Sequence, residues 1–571
     1  MQKIIIGTLA VSVSLFAQAG GTWTGTTGGD ILSAANYSDG APGTSDDLYF
    51  ANTQSAAITA SGDVQVGRIL FHKKDNRYET FKGDLDLGAG RSLLAATEVF
   101  VSHGAKVHLR SGHLGIALDA TAPTRDSRIC GESDDGNELI IDGPNSKFTV
   151  SLAKGMQVMR KSCRNVFKVC NGASFEGSMI EAFMASSASN NLICVTDPGT
   201  TFTIPQGSSA PIGHSYLGWG ESGSFNEFCV SNYAWLGQLS AYKVCVGVAY
   251  SSDPAGACNR LKIADHAVMD TRTELDIGWD GANSNVLEIV DGGTLYMTNA
   301  NLLAVGREDS VGNRVVLARG GRLVMSGNKG FAIGNYDSSR DSEMRIESGA
   351  EFRTEDVDAR CYCVGTAGTG ARLVIDGGTF YAPGSALVQA PKPPIGSAPT
   401  GSSVAVLNGG VVDVKLFNAC SSGSGHSVVV SNGYITTASS GTFRLGVDGG
   451  TGSVLTIAGT NSQINCFSGA SFEGGCTINF NVPSEGFKRL PFYVNHALGF
   501  TDATTINVTV DRGYIDNATK EGRRIRLIKS QQPIDWSKVT INLSAGLRLD
   551  TETSGELAVI CPGKGMLVIL K

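Results

Sequence analysis

A short pattern recurs through the middle of the chain and limits what it can fold into more than any other feature. Each copy opens on Asn, carries apolar residues two and four positions later, and reaches Asp or Asn six positions on, before a turn. Asn165 leads to Phe167, Val169 and Asn171; Asn191 to Ile193, Val195 and Asp197; Asn226 to Phe228, Val230 and Asn232. Asn259 leads to Leu261, Ile263 and Asp265, Asn285 to Leu287, Ile289 and Asp291, and Asn313 to Val315 and Leu317 with Arg319 in the last place. Alternation of this kind is the period of a β-strand with one face buried. The Asp-Gly or Asn-Gly that often follows supplies the turn.

A second signal keeps step with the first. About twenty residues after the leading Asn, by the counting used for internal repeats, an apolar residue is followed directly by Gly: Ile212-Gly213, Val246-Gly247, Ile277-Gly278, Val305-Gly306, Ile333-Gly334 and Val364-Gly365. Asn226, Asn285 and Asn313 precede Gly247, Gly306 and Gly334 by the same interval. The unit is therefore roughly 26 to 35 residues long, with Thr294-Leu295 or Arg322-Leu323-Val324-Met325 as a further strand between the two signals. Such a unit cannot bury its own apolar face and must stack on copies of itself. A propeller blade needs about 40 residues or more, and no segment has the helical period of a leucine-rich repeat. The expectation is an all-β, right-handed parallel β-helix (β-solenoid) over 111–476, with β-rich caps at 20–110 and 477–571. The composition agrees, with 73 Gly, 16 Pro and 17% charged residues. That mixture suits short strands and tight turns.

Stacking gives the leading asparagines a structural role. At equivalent corners, Asn165, Asn191, Asn226, Asn259, Asn285 and Asn313 can hydrogen-bond to backbone and to one another as a ladder. The same logic sets Cys194 beside Cys229, since each lies three residues after its Asn. Neighbouring parallel strands are about 4.8 Å apart, within disulfide reach, so either a bridge or a thiol ladder is expected there. Thirteen Cys in an oxidising compartment would leave at least one unpaired. None forms a metal-ligand cluster: Cys361-Tyr362-Cys363 has no second pair or neighbouring His to complete a zinc site.

The ends bear on location. Met1-Gln2-Lys3, the apolar run Ile4 to Phe16 and Ala17-Gln18-Ala19 have the layout of a Sec-type signal peptide over 1–19. The run is short for a span of ~20 residues, so the expectation is export, not a membrane anchor. A net charge of −7 and the lack of a basic stripe argue against a nucleic-acid partner.

From Gly21 the chain reads Gly21-Thr22-Trp23-Thr24-Gly25, Asn36-Tyr37, Pro42, Asp46-Asp47, Phe50 and Val66-Gly67-Arg68-Ile69-Leu70-Phe71. A tryptophan turn, an Asn-aromatic pair, Gly-x-Pro, Asp before an aromatic and a Val-Gly-x-Ile-x-Phe strand resemble the opening of exported bacterial proteins with autotransporter-associated β-strand repeats. The repeat looks like theirs too. Such proteins end in a membrane-embedded barrel that closes on a terminal aromatic. This chain ends Met566-Leu567-Val568-Ile569-Leu570-Lys571, so the resemblance implies a passenger-like β-helix without an evident translocator.

Parallel β-helices can carry polysaccharide lyases or glycoside hydrolases, which need paired carboxylates or an acidic Ca²⁺ cluster beside a base. The acidic pairs are Asp46-Asp47, Asp134-Asp135 and Glu308-Asp309, each in a predicted turn, where carboxylates are ordinarily solvated. Asp134-Asp135 with Glu132, and Glu308-Asp309 with Arg307, are the catalytic candidates. His214 is a lone loop histidine. Nucleophile elbow, phosphate loop and HExxH are absent, and no cofactor or metal is implied. Tyr216, Trp219, Trp235 and Trp279 are the aromatic binding candidates, against the alternative that each packs over a loop. The expected function is structural or adhesive, secreted or at the cell surface, with extracellular polysaccharide or cell-surface components as partners. The alternative is a lyase or glycoside hydrolase on the same scaffold.

Overall fold

The computed structural model describes residues 20–561 apart from 26–28, 73–78, 119–126, 131–134, 151–155, 160–161, 178–180, 183–187, 205–214, 218–222, 240–242, 249–255, 300–301, 328–329, 337, 355–360, 392–397, 439, 517–522 and 551–553. Three short strands make each coil, and each strand pairs in parallel with its counterpart one coil on. Val286–Ile289, Thr294–Thr298 and Leu303–Arg307 form one coil. Their counterparts are Arg314–Leu317, Arg322–Ser326 and Phe331–Ile333. The expected all-β parallel β-solenoid is thus the observed fold, with about 14 turns and almost no helix.

Alternation decides what fills the tube. In the first strands Leu287, Val315 and Met344 point inward and are fully buried, while Glu288, Val316 and Arg345 between them are half-buried. Stacking repeats each inward residue along the axis, so like packs on like. Phe148, Phe175 and Phe202 are in register on consecutive coils, with ring centroids 5.9 and 4.2 Å apart. A coil with its second and third strands covered on both edges buries apolar area that no isolated unit could.

Parallel pairing begins at the first described strand: Gly20–Trp23 pairs with Asp47–Phe50, which pairs with Val64–Phe71. The aromatics of the opening motif meet inside this end. Trp23 is fully buried, edge-on to Tyr37 at 5.4 Å, and its indole N–H donates to Gln54 Oε1 at 3.3 Å. Phe50 stacks on Phe71 at 4.6 Å. At the other end the direction changes, and Glu556–Cys561 runs antiparallel to both Arg523–Ser530 and Arg548–Asp550. Among the described residues no helix is long and apolar enough to cross a membrane.

The ladder is continuous. The Nδ2 of Asn137 donates to Asn165 Oδ1 at 2.9 Å, Asn165 to Asn191 at 2.9 Å, Asn191 to Asn226 at 3.0 Å and Asn226 to Asn259 at 3.0 Å. Asn285 donates to Asn313 at 3.1 Å. Each Oδ1 also accepts the backbone N–H of the preceding Asn, as Asn313 does from Asn285 at 2.9 Å and Asn285 from Asn259 at 2.9 Å. The residue before each Asn supplies the corner: Arg164, Asn190, Phe225, Cys258 and Ser284 all have φ between +56 and +59°. A left-handed residue there turns the chain so that the Asn side chain lies along the axis.

Candidate carbohydrate-binding surface

The residues singled out in the sequence fall at several places. Asp134, Trp219, Glu132 and His214 lie outside the described residues, as does the side chain of Tyr216. Asp135 is exposed and joins coils: it accepts the Cys163 backbone N–H at 2.9 Å and Arg164 Nη2 at 2.7 Å. Those bonds hold its carboxyl below the usual range, the Cys163 bond being the larger cause. Trp235 is half-buried along its own strand, where a β-carbon on Gly237 would fall 1.9 Å from its ring.

Trp279, Arg307 and Glu308 come together with Glu274, Asp276 and Tyr336, which the sequence did not single out, while the Asp309 backbone N–H donates to Ser338 Oγ at 2.8 Å. Arg307 is in register with Trp279 on the next coil, and its guanidinium lies 5.4 Å from the Trp279 ring and 5.3 Å from Tyr336. Its Nη1 donates to Glu274 at 2.7 Å and to Asp276 at 3.4 Å, and its Nε is 3.5 Å from Glu308. The indole N–H of Trp279 donates to Glu308 at 3.0 Å. Burial opposes the Arg307 charge, but Asp276, Tyr336 and Glu274 overcome it and raise its pKa. Three carboxylates therefore converge on one guanidinium that already engages them. Trp279 also packs on Cys245 and Val248. Its ring is occupied within the protein.

The open surface lies one corner away. Two residues before the second strand the backbone is left-handed in most coils, and Gly172, Gly199, Gly292, Gly320, Gly349 and Gly377 take that position with φ from +75 to +84°. Tyr233, φ 61°, and His266, φ 62°, depart from glycine there on two consecutive coils, as Asn432, φ 54°, does further along. A β-carbon costs about 1 kcal/mol or more in this conformation. The two rings stack at 5.0 Å and 22°. Beneath them Gly292 leaves the room, since a β-carbon on it would lie 2.4 Å from His266 Nδ1. Tyr233 is 59% exposed, and His266 is exposed beside it.

This stack forms one wall of an open groove of about 710 Å³ whose lining includes Asp291, Gly292, Arg319 and Arg322. Arg319 is held flat by Asp291 through two bonds, Nε to Oδ1 at 2.5 Å and Nη2 to Oδ2 at 2.9 Å. Arg322 bonds Glu351 at 3.2 Å through Nε. The groove thus combines an aromatic platform, a bare glycine floor and planar polar groups fixed in orientation. The repeat pattern places Asn232, Asp265, Asp291 and Arg319 at this corner with Gly often after them, and gives no role to the coils where Gly is replaced. The signal that could have found it is Tyr233 and His266 standing where other coils carry Gly. Among the described residues no cluster of three or more His, Cys, Asp or Glu could hold a metal ion.

No protein-family model matches the sequence, and no curated protein matches it. Among solved structures, the chain is similar to a TibC-catalysed, hyper-glycosylated fragment of TibA at 12% identity and a TM-score of 0.18. The match covers 77% of this chain and 97% of that one. At that TM-score it carries no argument. The fold rests on the registers above.

Proposed function

We propose that this chain is an exported β-solenoid, secreted or displayed at the cell surface, whose work is structural and adhesive and which recognises glycans at the Tyr233 corner groove. One observation carries the reading: Tyr233 is stacked on His266 and left exposed at backbone positions that cost energy to anything but glycine. Strain retained at an exposed site points to use of the side chains that cause it. An exposed aromatic face stacks on the C–H face of a pyranose, and flanking planar groups bond its hydroxyls. The signal-peptide layout of residues 1–19 and the resemblance to autotransporter-associated repeats support the location.

A glycan array probed with the full chain tests this. The expected result is binding to a defined set of sugars that Tyr233→Ala removes; no binding above background would overturn it. The convergence of Glu274, Asp276 and Glu308 on Arg307 favours a second reading, a glycan-cleaving enzyme. A reducing-sugar assay on the bound glycans separates the two. Release of ends that Arg307→Lys abolishes would favour the enzyme.

A further inference from the structure

Cys194 and Cys229 face each other across neighbouring first strands, in register, with Lys168 on the far side of Cys194 and Lys262 on the far side of Cys229. Their strand neighbours Ile193, Val195, Phe228 and Val230 are buried in the core, so the two thiols point away from it, as the two lysines do; Cys194 is half-buried and Cys229 is 9% exposed. Both cysteines are free thiols. No other two cysteines are partners in the described strand registers. Neighbours on a parallel ladder have Cα atoms about 4.8 Å apart, inside the range a disulfide spans without backbone movement.

We infer that Cys194 and Cys229 form a reactive dithiol that exchanges with small-molecule disulfides and closes into a bridge between two coils. The row supplies what exchange needs: a thiolate, a second thiol within reach and, through half-buried Cys194, an opening to solvent. Lys262 favours the Cys229 thiolate as a minor influence, while the bond to Cys229 and burial raise Cys194 and outweigh Lys168. The larger influence on Cys229 is the hydrogen bond from the Cys194 thiol, which pulls its pKa below the ordinary thiol value.

The exchange balances as follows. The Cys229 thiolate attacks one sulfur of an external disulfide, breaking its S–S bond and expelling one thiolate. Cys194 then loses its proton and attacks the Cys229 sulfur of the mixed disulfide, expelling the second. Two protein thiols are oxidised by two electrons, and one external disulfide becomes two thiols that take up the two protons.

Glutathione disulfide is the probe, applied without oxygen to the full chain and followed by alkylation and non-reducing peptide mapping. The expected product joins the peptide of Cys194 to that of Cys229, while buried Cys466 stays reduced. Lys262→Met should slow closure at least about threefold by raising the cost of the Cys229 thiolate. Cys194→Ser should leave a lasting glutathione adduct on Cys229, which keeps the test open if the wild-type bridge is hard to isolate. Alkylation of both thiols after treatment, or absence of the adduct in Cys194→Ser, would overturn the inference.

Discussion

A β-carbon on Gly278 would lie 2.1 Å from the side chain of Asn313, so the glycine that follows Ile277 is the space into which a ladder asparagine of a later coil packs. Gly247 stands in the same relation to Asn285 at 2.2 Å, and Gly365 to Ser402 at 1.9 Å. Gly278 also has φ +74°. Gly278→Ala should therefore cost about 3 kcal/mol or more, from the left-handed backbone together with the overlap. Gly409 has φ +89° with nothing within 4 Å of its β-carbon position, and Gly409→Ala should cost only about 1 kcal/mol. Chemical denaturation of the two variants separates conformation from crowding. Equal losses would refute the packing account.

The ladder should be costly to break where it is bonded and cheap where it is not. Asn226 accepts from the Asn191 backbone and Nδ2, and donates to Ala188 O at 2.9 Å and Asn259 Oδ1 at 3.0 Å. Asn226→Ala leaves the Asn191 backbone N–H and the Ala188 carbonyl unpaired, while Asn259 Oδ1 keeps the residue 226 backbone N–H, and should lose about 2–4 kcal/mol. Ser342 holds the equivalent position one coil beyond Asn313, and its buried hydroxyl has no hydrogen-bond partner. Ser342→Ala should change stability by less than about 1 kcal/mol. Thermal melts of the pair would decide, and a larger loss for Ser342→Ala would contradict the reading.

These two relationships explain what the sequence could and could not show. The Asn and Gly signals kept step because they are two sides of one packing contact, and period alone revealed the coil. Asn137 was missed because its turn residue, Asp142, comes one position earlier than in the other copies. Beyond Asn313 the corner passes to Ser342, Ala371, Ser402 and His426, which hold the same register without the signature. The groove was illegible for a different reason. Tyr233 and His266 matter through the backbone conformation they occupy and through each other; their replacement of Gly is legible along the chain, but their stacking across two coils is not. Arg307 was noticed only as a neighbour of Glu308, since Glu274 and Asp276 reach it from the preceding coil.

Asp280 should make stability depend on pH in a direction opposite to that of an ordinary paired carboxylate. Burial raises its pKa above the model-compound value of 3.8, and Glu308 and Asp309 add to the shift. The folded state then holds the proton more tightly than the unfolded chain, so this group weakens the fold at neutral pH and ceases to do so as pH falls through the raised value. Asp280→Asn removes the charge and suits a residue with φ 55°. The variant should melt higher than wild type at about pH 7, with the two converging below about pH 4. A melting difference that stayed constant across this range would count against the assignment.

Tyr233 offers a test in which stability and function should part. Its backbone at φ 61° is the left-handed conformation that Gly199 and Gly292 hold at the same corner. Tyr233→Gly relieves a strain of about 1 kcal/mol, while glycine's greater freedom in the unfolded chain takes back part of that gain. The loss of the ring stack on His266 subtracts a further ~0.5 kcal/mol or more. The net expectation is stability within about 1 kcal/mol of wild type. Tyr233→Ala keeps the strain and loses the ring, so it should be less stable than Tyr233→Gly. Both variants should lose glycan binding, because the platform is gone in each. Denaturation curves and glycan binding measured on the same three proteins check this. Binding that survives Tyr233→Gly would move recognition away from this groove, and a Tyr233→Gly variant less stable than Tyr233→Ala would show that the corner is not strained by its side chain.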